Sequence, residues 1–150
     1  MQIVNYIGLD TKGVPPTVSI GVNAADLDPN SPGVQVSEGG VIEVNPTVTD
    51  DVQVRNVELL VNGQVVADDP SFPFDFTAQV PTIANAGSTM TIQALATDTG
   101  GNTTLSNIVT LNVVKDTFPP VVTAASITEN DSLYFVKSVQ LDFIEKYGLM

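Results

Sequence analysis

The chain has 150 residues, with 5 Lys or Arg against 17 Asp or Glu and a net charge of −12. It has no Cys and no His, which excludes structural zinc, haem ligation, a thiol nucleophile and a Ser-His-Asp triad. Its acidity works against binding nucleic acid or anionic membranes. Hydrophobic residues make up 43% and charged residues 15%, so the chain can bury a core rather than remain an acidic disordered tail. The 23 Val and 16 Thr suit a pleated, half-buried surface.

In chain order, Val18, Ile20 and Val22 alternate within 17–23, a period-2 strand. Residues 25–33 are dense in Asp, Asn, Pro and Gly and read as a loop. From 41 to 49 the inward set is Ile42, Val44, Pro46 and Val48. Pro46 cannot donate to a ladder, so a bulge or an open side is expected there. Val57, Leu59 and Val61 follow, then Asn62-Gly63 and Gln64–Ala67. Asn-Gly between apolar runs signals a tight hairpin with two positive-φ residues. Phe72, Phe74, Phe76 and Ala78 read as one core face, and so do Met90, Ile92, Ala94 and Ala96. Val109, Leu111 and Val113 complete the pattern. About seven strands and no helical period give an all-β reading, an Ig-like antiparallel β-sandwich.

An internal repeat sets the boundaries. Asp10-Thr11 with Pro15-Pro16 recurs as Asp116-Thr117 with Pro119-Pro120, at offsets of 106 and 104 residues. That is about the length of one sandwich. The expected organisation is a last strand and linker of a preceding module over 1–14, a complete sandwich over 15–115, and a linker with the first strands of a following module over 116–150. No apolar run approaches the roughly 18 to 20 residues of a membrane span. Met1-Gln2-Ile3-Val4 lacks a basic and apolar leader, so a secreted protein would take its signal from outside this sequence.

The run from Thr47 to Gly63 resembles the bacterial Ig-like domains of large surface proteins. Ala94–Asn102, with its Asp98-Thr99-Gly100-Gly101-Asn102 ending, is similar both to those domains and to cadherin repeats. The Asp-Thr-x-Pro-Pro linker at 116–120 resembles the joints between such modules, and the tail Ser138–Glu145 resembles the strand ending Phe-x-Glu in a second bacterial Ig-like subtype. The antibody-type Cys pair and core Trp are absent, so antibody-like recognition is not implied. The alternating Asp and Asn of the cadherin linker are reduced to Asp116. The resemblance implies an extracellular or cell-surface setting, with neighbouring Ig-like modules as partners.

No enzyme is expected. Only carboxylates are available as acid-base groups, and neighbours such as Asp50 with Asp51 sit on loops rather than across a cleft. Calcium is the sharper expectation, because hard cations take six to eight oxygen ligands from Asp- and Asn-rich loops. At one end of such a sandwich the B–C and F–G loops meet the incoming linker. That places Asp50, Asp51, Asp98 and Asn102 together, with Asp10 from the linker. At the other end, Asp26-x-Asp28-x-Asn30 has calcium-loop spacing and the outgoing Asp116 is a further donor, although Ser31 and Ser37 stand where an EF-hand has Gly and Glu. The expected function is a structural spacer of a multi-domain bacterial surface or secreted protein, stiffened by calcium. The rival is a carbohydrate- or protein-binding accessory module of an adhesin or a polysaccharide-degrading enzyme, with cell-surface glycans or proteins as partners. An exposed aromatic platform would favour the rival.

Overall fold

The computed structural model describes residues 9–120. The chain divides into two units, Met1–Asp116 and Thr117–Met150. The described strands all lie in the first, and residues 117–120 of the second carry neither helix nor strand. Of the expected pieces of neighbouring modules, over 1–14 and 116–150, residues 1–8 and 121–150 fall outside the described residues.

Among the described residues the first unit contains nine strands: β1 (Thr17–Asn23), β2 (Gln35–Ser37), β3 (Val41–Thr49), β4 (Val54–Val61), β5 (Gln64–Asp69), β6 (Phe76–Gln79), β7 (Thr89–Asp98), β8 (Thr103–Leu105) and β9 (Val109–Val114). One helical turn, α1 (Ile83–Ala86), joins β6 to β7. One sheet has the order β1-β3-β6 and the other β2-β9-β7-β4-β5, with β8 also pairing β7. All pairings are antiparallel except β2 on β9. This is the expected two-sheet sandwich. The strand count exceeds seven because the last long strand is broken into β8 and β9, and because a short β2 adds to its edge.

Alternation does what the sequence pattern asks. Val44, Val57, Leu59, Met90, Ile92, Ala94 and Ala96 are fully buried between the sheets. Ile20, Ile42, Phe74, Phe76 and Leu111 join them, while Val18 and Val109 pack partly buried at the margin. The Asn62-Gly63 turn has φ 51° and 78°, the pair of positive values a two-residue hairpin needs, and it brings Val61 opposite Gln64.

Pro46 has an open side. Ile20 faces Pro46 across β1 and β3. The Ile20 N–H donates to Asn107 Oδ1 at 3.0 Å, and its carbonyl accepts from Asn107 Nδ2 at 3.3 Å. Both Ile20 groups therefore point away from β3, and antiparallel alternation turns the Pro46 nitrogen away from β1 as well. On that far side β6 pairs β3 only over Val41–Val44, so no ladder bond is missed. Asn107 sits in the break between β8 and β9, where its amide takes the place of a strand backbone.

α1 is an addition that the sequence reading did not foresee. Its N-cap, Thr82, makes no side-chain cap bond. Instead Glu38 Oε2 accepts the Ile83 N–H at 2.9 Å, and Oε1 accepts the Asp116 N–H at 3.4 Å.

Candidate metal centre

Three segments meet at the end of the sandwich where β3 and β7 finish. The incoming segment is docked there. The Asp10 N–H donates to Thr99 Oγ1 at 3.1 Å, and Asp10 Oδ1 accepts the Lys12 N–H at 2.7 Å. Gly100 makes this approach possible: a Cβ at that position would lie 2.7 Å from the Asp10 carbonyl oxygen. Asp10 is only 5% exposed and Pro16 is buried, so the segment belongs to the packed structure.

The β3–β4 loop supplies Asp50 and Asp51. Asp50 Oδ2 accepts the N–H groups of Val52 and Gln53 at 3.1 and 2.7 Å, folding the loop over its own carboxylate. The Gln53 carbonyl then accepts the Thr99 N–H at 3.1 Å, fastening this loop to the one after β7. That second loop is built around Asp98. Its Oδ1 accepts the N–H groups of Gly100 and Asn102 at 2.7 and 2.9 Å, and its Oδ2 accepts Asn102 Nδ2 at 2.8 Å. Burial pushes the Asp98 carboxyl up. The Asn102 amide and the two backbone N–H groups outweigh this and hold it below the ordinary 3.8.

The expected first group therefore divides in two. Asp10, Asp50 and Asp51 come together, each able to offer an oxygen within 4.8 Å of the others, the one such acidic grouping among the described residues. Asp98 and Asn102 instead satisfy each other and the turn. Two oxygens near the three-carboxylate group lack partners: Asp10 Oδ2 and Asp50 Oδ1 are both buried without a hydrogen bond. Buried, unsatisfied carboxylate oxygens beside other carboxylates are costly unless a cation or proton compensates them. An all-oxygen donor set without His or Cys suits a hard cation such as Ca²⁺. Three carboxylates supply part of a coordination shell of six to eight, leaving the rest to carbonyls and water.

At the other end the second expected group takes a different form. Asp26 Oδ1 accepts the N–H groups of Asp28 and Gln35 at 3.1 and 3.0 Å. Asp28 accepts the Asn30 N–H at 3.2 Å and the Ser31 hydroxyl at 2.6 Å. These side chains cap turns, the Asp116 N–H goes to Glu38, and the structure does not gather them into one group.

Two features of the surface were not read from the sequence. Lys12 places its Nζ 3.1 Å from Asp51 Oδ2. Phe72, expected in the core stripe, is 84% exposed, whereas Phe74 and Phe76 are buried. Strand alternation begins only at Phe76, so period 2 does not govern the residues before it. Phe72 stands edge-on to Phe74, with ring centroids 6.0 Å apart. It borders a groove of about 560 Å³ that Asp50, Gln53, Pro70 and Ser71 also line. A non-strand stretch such as Ser71-Phe72-Pro73 carries the turn residue that could have flagged the change.

A family model described as a bacterial Ig domain matches residues 16–92, just over half of the chain. The chain belongs to that family. This bacterial Ig domain also has solved structural neighbours. The fibronectin(III)-like modules of Clostridium thermocellum CbhA align with a TM-score of 0.52 and 20% identity, over 68% of this chain and 48% of theirs. The chain thus spans about half the length of that neighbour. The SrpA adhesin of Streptococcus sanguinis aligns with a TM-score of 0.41 and 15% identity, over 92% of this chain and 78% of its own. Its R347E mutant gives a TM-score of 0.42 and 16% identity, over 87% and 76%. At 20% identity the likeness to the CbhA modules concerns the fold alone. The comparison with curated proteins gives no match.

Proposed function

We propose that this bacterial Ig domain is a structural module of a multi-domain surface or secreted protein, in which calcium at the incoming end fixes the direction of the linker. The observation that carries the calcium reading is the pair of buried, unpartnered oxygens, Asp10 Oδ2 and Asp50 Oδ1, on carboxylates that reach the same small volume. One of those carboxylates belongs to the linker and the others to the sandwich, so an ion held by all three ties one to the other. The reading assigns no catalysis: Asp50 and Asp51 are adjacent on one loop, which does not provide two carboxylates facing across a cleft.

Calorimetry on the 150-residue chain tests this directly. The expected affinity is on the order of 10⁻⁴ to 10⁻³ M, the range of extracellular modules. Calcium at ten times its Kd stabilises the folded state by about 1.4 kcal/mol, a rise in Tm of several degrees. Asp10→Asn and Asp50→Asn should abolish the rise. A parent whose melting is the same in calcium and in chelator removes the calcium part and leaves a plain spacer.

One observation favours a second reading, a binding module. Phe72 is an exposed aromatic of the kind such a module uses as a platform, and the polar wall of its groove offers hydrogen-bond partners. Screening immobilised glycans with the parent and Phe72→Ala decides it: binding lost in the variant supports the module, and binding equal in both, or absent, rejects it.

A further inference from the structure

The three-carboxylate group already holds a cation of its own. Lys12 follows Asp10 by two residues, and its backbone N–H is fixed on Asp10 Oδ1 at 2.7 Å. This aims its side chain at the loop after β3, where its ammonium meets Asp51 Oδ2 at 3.1 Å. Among the described residues the only other basic side chains are Arg55 and Lys115. Asp98 is engaged by Asn102 and by backbone N–H groups. Among the described residues Lys12 is thus the one basic side chain paired with the group.

Its attachment is asymmetric. The backbone of Lys12 is anchored, but the side chain is 63% exposed and runs on a flexible four-carbon stem. An ion pair of this kind is weak and easily broken. A single ammonium does not neutralise three carboxylates, and it leaves Asp10 Oδ2 and Asp50 Oδ1 without partners. A divalent ion claiming Asp51 must displace the ammonium, which has open solvent to swing into.

We propose that Lys12 is a tethered competitor for the cation site: it occupies Asp51 when calcium is low, leaves when calcium binds, and thereby raises the calcium concentration at which the linker is fixed. This rests on the reading of the group as a calcium site and adds the element that sets its threshold. The consequence is a response tuned to the surroundings. High calcium locks the linker to the sandwich, whereas low calcium leaves the linker held by Lys12 and by the Asp10–Thr99 bond.

The test is a calcium titration by calorimetry of the 150-residue parent, Lys12→Gln, Lys12→Arg and Lys115→Gln, at one ionic strength. Circular dichroism would confirm that all four are folded. Lys115 follows β9, which meets the start of β7, so it lies at the opposite end of the sandwich from Asp98. Removing the competing charge should tighten calcium binding about three- to tenfold in Lys12→Gln. Lys12→Arg should stay within about twofold of the parent, because it keeps the charge. Lys115→Gln should also stay near the parent, because charges this far apart are screened. If the parent binds calcium and Lys12→Gln binds it equally or more weakly, the competitor role is overturned and the calcium site stands. Equal tightening in Lys12→Gln and Lys115→Gln makes the effect one of net charge and also overturns it. If neither the parent nor Lys12→Gln binds at tens of millimolar calcium, the site and its competitor fall together.

Discussion

Replacing Gly100 by Ala tests whether the incoming segment is part of the sandwich. The added methyl would lie 2.7 Å from the Asp10 carbonyl oxygen, 3.3 Å from Asp10 Cβ and 3.2 Å from Asn102 Nδ2. Ordinary carbon contacts begin near 3.5 Å, so the backbone at Asp10 must retreat by roughly half an ångström or more. Two of the three obstacles belong to Asp10, whose N–H bond to Thr99 would stretch or break. Such overpacking costs about 1–3 kcal/mol, a sizeable share of the 5–15 kcal/mol a domain possesses. Gly101 is the comparator. Its φ of 90° disfavours any side chain, yet nothing lies within 4 Å of a Cβ there. Gly101→Ala should therefore cost about 1 kcal/mol through the backbone alone and leave Asp10 in place. Urea unfolding gives both values, and a double-mutant cycle with Thr99→Val separates the causes. Gly100→Ala and Thr99→Val damage the same contact and should be less than additive, whereas Gly101→Ala with Thr99→Val should add more nearly. If Gly100→Ala lies within about 0.5 kcal/mol of the parent, or is fully additive with Thr99→Val, the docked segment is not an energetic part of the fold.

Acid sensitivity should trace to Asp98. Its carboxyl is held below 3.8 in the folded state, so its contribution is complete above that value and is lost as pH falls through the lower folded one. Asp98→Asn should flatten that limb of a stability–pH curve, and an unchanged limb would contradict the assignment. Phe74→Ala should cost about 3–5 kcal/mol and Phe72→Ala less than about 0.5 in the same urea assay, because only the first ring is buried. Asn107→Ala removes both bonds to Ile20 and should cost about 1–3 kcal/mol, with faster hydrogen exchange at the Ile20 amide as its local signature.

The parts of the fold that were legible in the sequence are those governed by local rules. Alternation at Val57-Leu59-Val61 and Ile92-Ala94-Ala96 has one physical solution, a strand with one face covered. Asn62-Gly63 has one inexpensive backbone conformation. The break between β8 and β9 was not legible, because it depends on Ser106 and Asn107 finding partners far away in sequence. The Ser106 hydroxyl accepts the Ala94 N–H at 2.9 Å, and Asn107 reaches β1. The same limit applies at the site. Loop order on a sandwich brought Asp10, Asp50 and Asp51 to one end, but which carboxylates face one another and which cap turns is decided by individual torsions. Asp98 and Asp28 have the composition of ligands and the hydrogen bonds of caps. Lys12 was missed because attention to oxygen donors passes over the cation that answers them, and Phe72 because the strand pattern was extended across a stretch that is not a strand.

The parallel pairing of β2 with β9 has a mechanical corollary. β2 lies near the beginning of the sandwich and β9 at its end, with Gln35–Ser37 alongside Asn112–Val114 in the same direction. Tension applied between the two ends pulls the two strands in opposite senses along their common axis. Their hydrogen bonds then lie across the load and must fail together in shear, rather than opening one by one as in a peeled antiparallel hairpin. The Asn107 amide holding Ile20 adds a second cross-link, between the first strand and the segment entering the last, in the path of the same force. Resistance to stretching is thus concentrated in a few bonds between the first strands and the last, and the unfolding rate under force, rather than equilibrium stability, is the quantity these bonds control.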